Sequence, residues 1–165
     1  YDKNYNMYSY IIEELPSVVQ NNFDFDMSRQ SIFGHSMGGH GALVAALRNP
    51  KKFKSCSAFA PIVEPTTASW SCEAFKKYIG LNQSDWQIYD SVALVKNGYY
   101  FPEILVDQGG SDSFLEEGLR PWLLEDACKK SKIKLKLRIQ DNYDHSYYFI
   151  STFMSDHLIW HRDRI

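Results

Sequence analysis

Two periods of hydrophobicity alternate along this chain. Between Met7 and Asn22, the apolar residues Ile11, Ile12, Leu15, Val18 and Val19 recur at helical spacing. That spacing predicts an amphipathic helix, although Pro16 falls inside it. Ser31–Phe33 is a short run that stops at Gly34 and reads as a strand. From Gly38 to Leu47 the residues Ala42, Leu43, Ala45, Ala46 and Leu47 predict a buried helix, which Asn49-Pro50 ends. Cys56–Ala60 and Ile104–Val106 are continuous apolar runs, the pattern of central strands covered on both faces. Between them Trp70–Tyr78 and Ser91–Lys96 predict short helices, and Phe114–Lys130 predicts a longer one. Ile133, Leu135, Leu137 and Ile139 then alternate with Lys132, Lys134, Lys136 and Arg138. This places the apolar set on one face of a half-buried strand near a sheet edge, with the basic set in water discouraging further pairing. A helix from about Ser146 to Trp160 completes the pattern.

Strands separated by helices predict an α/β fold, a mostly parallel sheet with helices on both faces. Ligands of such sheets sit at the carboxyl ends of the strands. The 165 residues, 44% hydrophobic and 15% aromatic, suffice for one core, and residues 1–165 read as one domain without repeats or linkers. A formal net charge of −2 gives no global attraction for nucleic acid or an anionic membrane. No apolar run approaches the ~18 residues of a membrane span, and no signal peptide opens the chain. Cys56, Cys72 and Cys128 are widely spaced without a CxxC pair, so neither a disulfide framework nor a zinc site follows, and a reducing compartment is expected. The opening YDKNYNMYSY reads as the middle of a longer sequence.

Candidate chemistry centres on Gly34-His35-Ser36-Met37-Gly38, a G-x-S-x-G match between a predicted strand and a predicted helix. A reversal this tight holds the serine in an unfavourable backbone conformation, and the flanking glycines remove Cβ atoms that would collide with the neighbouring strand or helix. Ser36 then projects at a helix N-terminus, where the dipole and the Met37 N–H stabilise a developing oxyanion. The competing reading is a glycine-rich turn with Ser36 as an N-cap. A serine nucleophile needs a base, and the base needs a carboxylate to fix its tautomer, in the chain order serine, acid, histidine. Gly109-Gly110-Ser111-Asp112 follows the third strand and Asp144-His145-Ser146 precedes the last helix, so Asp112 and His145 are the candidate acid and base.

Asp107 is the rival acid, at a strand terminus where a turn or capping role competes. Asp144 suits the N-cap of the final helix. His40 belongs to the helix after Ser36 and reads as structural, while His35 packs beside the turn. His157 and His161 have the spacing of metal ligands on a helix but lack the glutamate of a metalloprotease, so they read as partly exposed residues near a helix C-terminus.

The segments GHSMGGHGAL, SAFAPI, LVDQGGSDSFL and YDHSYYFI, with MYSYIIEELP and SWSCEAFKKYIG, resemble the S-formylglutathione hydrolase (esterase D) family along essentially the whole chain. The resemblance implies an α/β-hydrolase fold with Ser36 as nucleophile, Asp112 as acid, His145 as base and the Met37 N–H in the oxyanion site. It also implies a cytoplasmic enzyme that splits S-formylglutathione into formate and glutathione through a formyl-serine intermediate, in formaldehyde detoxification. No metal, cofactor, nucleic acid or membrane is implied, and the full-length form is expected to be a homodimer. Residues 1–165 would then be the C-terminal portion of a single α/β-hydrolase domain. The family's N-terminal strands and the loop with its second oxyanion N–H are absent from this chain. The strand at Ser31–Phe33 would lose neighbours on one side, so the segment alone is expected to be unstable or inactive. A broader carboxylesterase, an acyltransferase, and an inactive fragment with a binding role are the alternatives.

Overall fold

The computed structural model describes residues 4–165. Its sheet contains β1 (Gln30–His35), β2 (Phe53–Phe59), β3 (Glu103–Gly109) and β4 (Lys134–Gln140), parallel and adjacent in chain order. Parallel neighbours need crossovers. These are supplied by α3 (Met37–Arg48), by α4 (Ser69–Tyr78) with α5 (Ser91–Lys96), and by α6 (Pro121–Lys129). The helical entry α1 (Met7–Ser9) and α2 (Leu15–Asn22) precedes β1, and α7 (Tyr147–Arg162) follows β4. Among the described residues β1 is paired on one side only, and no helix is long and apolar enough to cross a membrane.

Side-chain alternation along β2 separates the two faces. Cys56 and Ala58 join Leu43 and Leu47 of α3, Val92 and Val95 of α5, and Leu124 and Cys128 of α6 in the main core. Phe59 turns to the other face, where it packs with Phe149 of α7. The helices therefore lie on both faces.

Two predicted helices are interrupted, each at a proline. Between α1 and α2 the chain winds as a π-helix over Tyr10–Glu14, and Pro16 falls in the first turn of α2, where its missing N–H is tolerated. The Ile12 carbonyl that Pro16 cannot serve is taken by Lys52 Nζ. The expected helix Phe114–Lys130 is instead a π-wound turn, Leu115–Leu119, then Arg120 in the left-handed region (φ 46°), then α6 starting at Pro121. A 3-10 helix, Gln83–Tyr89, was not foreseen; Asn82 caps it by accepting from the Ser84 N–H.

The face under α7 also corrects the expectations for Asp107, Arg138, His157 and His161. Asp107 serves neither a turn nor a cap: its fully buried carboxylate is gripped by Arg138 Nε and Nη2, each at 2.5 Å. Arg138, expected in water, also donates through Nη1 to Asp156 on α7 (2.6 Å). His157 and His161 are buried rather than partly exposed. His157 Nδ1 meets Ser57 Oγ (2.8 Å) and its Nε2 meets Asp107 (3.2 Å). His161 bridges Ser55 Oγ (2.7 Å) and Ser57 Oγ (2.8 Å), and Ser55 continues to Ser31 Oγ (2.6 Å). One hydrogen-bonded chain thus crosses the whole sheet beneath α7. The sequence pattern missed it because its members sit at alternate strand positions and one helical turn apart, where their apolar neighbours dominate the signal.

Replacing Arg138 by Met should lower unfolding stability by about 3 kcal/mol, because it strands a buried carboxylate; an unchanged urea midpoint would count against this. Burial pulls His40 and His161 down to about 4, with the nearby His157 and Arg164 adding to the effect at His161. An unfolded histidine titrates near about 6.5, so below that pH the unfolded chain binds more protons than the fold. Stability should therefore fall as pH drops from about 6.5 towards 4. Urea titrations across that window should show about one proton less taken up on unfolding for His161→Gln than for the parent protein.

Candidate active site

The turn between β1 and α3 is the tightest feature at the carboxyl edge of the sheet. Ser36 adopts φ 56°, ψ −115°, which a residue with a Cβ occupies at a cost of about 1–3 kcal/mol. Its N–H donates to Phe59 O (2.9 Å), and its carbonyl accepts the His40 N–H (2.9 Å), so strand pairing and helix both meet on this residue. A Cβ on Gly34 would fall inside van der Waals contact of the Gly38 carbonyl. Gly38 itself faces open space, contrary to expectation, and the second tight position is Gly39, where a Cβ would stand 3.0 Å from Pro61 Cβ. Ser36 occupies the N-cap position of α3 but makes no side-chain capping bond, so its hydroxyl is not used as a cap.

Asp112 and His145 come together. Asp112 Oδ2 lies 2.6 Å from His145 Nδ1 and also accepts from Gln108 Nε2 (3.1 Å); Oδ1 takes the Phe114 N–H (2.9 Å). Burial would raise the Asp112 carboxyl, but the His145 bond, the Phe114 N–H and Gln108 outweigh it and hold it below the ordinary carboxylate range. An ionised carboxylate only accepts, so His145 Nδ1 carries the proton and, in the neutral ring, Nε2 is left with a lone pair. The imidazole is held between Phe114 (centroids 5.1 Å apart) and His35 (4.4 Å).

The two loops that bring these residues together are stitched by backbone bonds, Ser111 N–H to Tyr143 O and Gly110 N–H to Gln140 O, both 2.9 Å. Gly109 is required beneath them, since a Cβ there would press on Tyr143 O and lie 2.7 Å from Asp144 O. Asp144 is not the N-cap of α7. That position is Ser146, and the Asp144 carboxylate accepts the Ser146 N–H (3.0 Å) just before the helix begins.

Ser36, Met37 and His145 line one cavity of about 370 Å³, walled by Ile62, Trp70 and Phe114 and with Glu117 at its side. Met37 opens α3, so its N–H has no intrahelical acceptor. No hydrogen bond joins Ser36 Oγ to His145 among the described residues; such contacts are often long in unliganded sites and tighten with substrate. His40 instead packs near Phe75 (6.3 Å), away from this cavity. Sequence reasoning missed Gln108 and Trp70. Gln108 was legible as a polar residue inside the buried run LVDQGG, whereas nothing local distinguishes Trp70.

A parallel sheet with a strained serine after one strand, and an acid and a histidine on loops after two later strands, defines the α/β-hydrolase class. Within that class the chain belongs to the esterase family: the family model "Esterase: Putative esterase" matches residues 1–160. It is 52% identical over 161 residues to S-formylglutathione hydrolase of Bos taurus, covering 96% of this chain and 57% of that protein. The Arabidopsis thaliana protein of the same name is 48% identical over 161 residues, with the same coverage. A solved S-formylglutathione hydrolase from Agrobacterium tumefaciens superposes with a TM-score of 0.95 at 62% identity, covering 97% of this chain and 58% of that one. The chain therefore spans a little over half the length of these relatives.

Gly109→Ala should force the Asp141–Ser146 loop off β3 and cost about 1–3 kcal/mol. A low-field imidazole N–H proton resonance from His145 at neutral pH in the parent protein, lost in this variant, is the expected readout.

Proposed function

We propose that the intact protein is a serine hydrolase that cleaves the thioester S-formylglutathione to formate and glutathione. One observation carries the reading: an uncommitted hydroxyl on a strained turn shares a cavity with an imidazole that a buried carboxylate orients. Ser36 Oγ attacks the thioester carbonyl while His145 Nε2 takes its proton, and Asp112 steadies the imidazolium that forms. The Met37 N–H and the N-terminus of α3 face the negative charge on the tetrahedral oxygen. A thiol, with an ordinary pKa of about 8.5, then departs as thiolate with little need for protonation. His145 activates water to release formate from the formyl-serine.

Similarity to the bovine, Arabidopsis and Agrobacterium proteins supports this choice of substrate. The same reading carries a cytoplasmic homodimer acting in formaldehyde detoxification, with Asp112 rather than Asp107 as the acid. The apolar walls Ile62, Trp70 and Phe114 also suit simple aryl and alkyl esters, which favours a broader carboxylesterase as the second reading.

Values of kcat/KM for S-formylglutathione far above those for acetyl esters would support the first reading, and the reverse order the second. Ser36→Ala should abolish both the acyl-enzyme burst and labelling by a fluorophosphonate probe. Asp112→Asn should lower kcat by about four orders of magnitude. Undiminished labelling in Ser36→Ala would place the nucleophile elsewhere.

A further inference from the structure

We infer that Glu117 recognises a cationic group on the thiol half of the substrate, namely the free α-ammonium of the γ-glutamyl residue of a glutathione thioester. This rests on the substrate reading above. The catalytic-side cavity is otherwise apolar: apart from His145, Glu117 is the one ionisable side chain among the residues that line it. Glu117 is exposed and, like its neighbour Glu116, has no hydrogen bond or ion pair among the described residues, but of the two only Glu117 lines the cavity. A carboxylate with no internal cation, at the side of an apolar site, is free to pair with a cation on the ligand.

Its position is fixed by both neighbours in space. Glu117 lies in the π-wound turn Leu115–Leu119, a local winding that recurs at functional sites. The next residue, Gly118, is pressed against the cavity wall, where a Cβ would stand 2.5 Å from Trp70 Cζ2 and 3.0 Å from Trp70 Nε1. The turn ends at Arg120, whose Nη2 donates to Glu64 O (2.9 Å) and Thr67 Oγ1 (2.8 Å). That loop leads into α4 and is also tied to Asp90 through Thr66 Oγ1 (2.6 Å). The carboxylate and the Trp70 wall are therefore parts of one stitched unit.

The electrostatic consequence is a sign filter. In a glutathione thioester the ammonium shares its carbon with one carboxylate at the γ-glutamyl end and the second carboxylate ends the glycine, so a negative rim favours the pose that presents the ammonium and turns both carboxylates away. Glu117 is exposed, so the attraction is the modest one of a solvent-screened pair, and added salt weakens it.

The test compares S-formylglutathione with its N-acetyl derivative, which keeps the thioester and loses the ammonium, using the intact protein. The parent enzyme should favour the free amine by about fivefold in kcat/KM, most strongly at low salt. Glu117→Gln should erase the preference, and Glu117→Lys should reverse it. Fluorophosphonate labelling of Ser36 in each variant reports that the site is assembled. Equal preference in the parent and both variants, or none in the parent, overturns the inference while leaving the hydrolase reading intact. Failure to turn over either glutathione thioester, with aryl esters still cleaved, removes the substrate reading and this inference with it.

Discussion

The arrangement above the carboxyl ends of β3 and β4 depends on one buried carboxylate. Burial alone would raise Asp107, but the bond from His157 and the two bonds and charge of Arg138 outweigh it and hold the group below the ordinary range. Arg138 also reaches Asp156, so a single guanidinium joins β3, β4 and α7 at one point. The loop that carries His145 runs from the end of β4 to the start of α7, and both of its ends are therefore fixed relative to β3, where Asp112 follows. A buried ion pair is a weak source of stability, because desolvation consumes most of its Coulomb attraction. Here its effect is geometric: an apolar trio in its place would fill the volume without setting the axial position of α7.

The chain of bonds that begins at Asp107 also has a direction. With His157 neutral, Nε2 donates to Asp107 and Nδ1 accepts from Ser57. Ser57 then accepts from His161 Nε2, His161 Nδ1 accepts from Ser55, and Ser55 accepts from Ser31. Every ring nitrogen is used once, with no competing arrangement for the neutral rings. Loss of Ser57, which serves both rings, breaks the chain in the middle.

Much of this architecture was legible from the sequence, and the failures have specific causes. The strands at Ser31, Cys56 and Ile104 were visible because short apolar runs ended by glycine, proline or aspartate have few other readings, and the one at Ile133 because its apolar and basic residues alternate strictly. The pairing of Asp112 with His145 was visible because loops after adjacent parallel strands converge at one edge of the sheet. The π-wound turn before Pro121 was not, since its residues have helical periodicity and only Arg120's left-handed backbone breaks them. His157 and His161 were misjudged for another reason. Polar residues on a terminal helix normally face water, and the groups that satisfy both rings in the interior are the serines at alternate positions of β2, which read as strand composition, and Asp107 of β3. Gly38 was credited with a steric role that belongs to Gly39, because the motif fixes which positions are small but not which of them touch a neighbour.

The strained serine survives because the sheet continues one residue past the end of each of its first three strands. Ser36 N–H donates to Phe59 O, Ala60 N–H to Asp107 O at 2.7 Å, and Gly110 N–H to Gln140 O. Each of these residues is the first to leave its strand, and each is bonded to the last turn of pairing on the next strand. Two of them, Ser36 and Ala60, take positive φ there, at 56° and 42°. Relaxing either backbone would cost a bond that extends the pairing with the neighbouring strand, so the strain is held by the sheet rather than by the turn. The loops bearing Asp112 and His145 depart from the same line, which is why residues far apart in sequence meet with so little intervening structure.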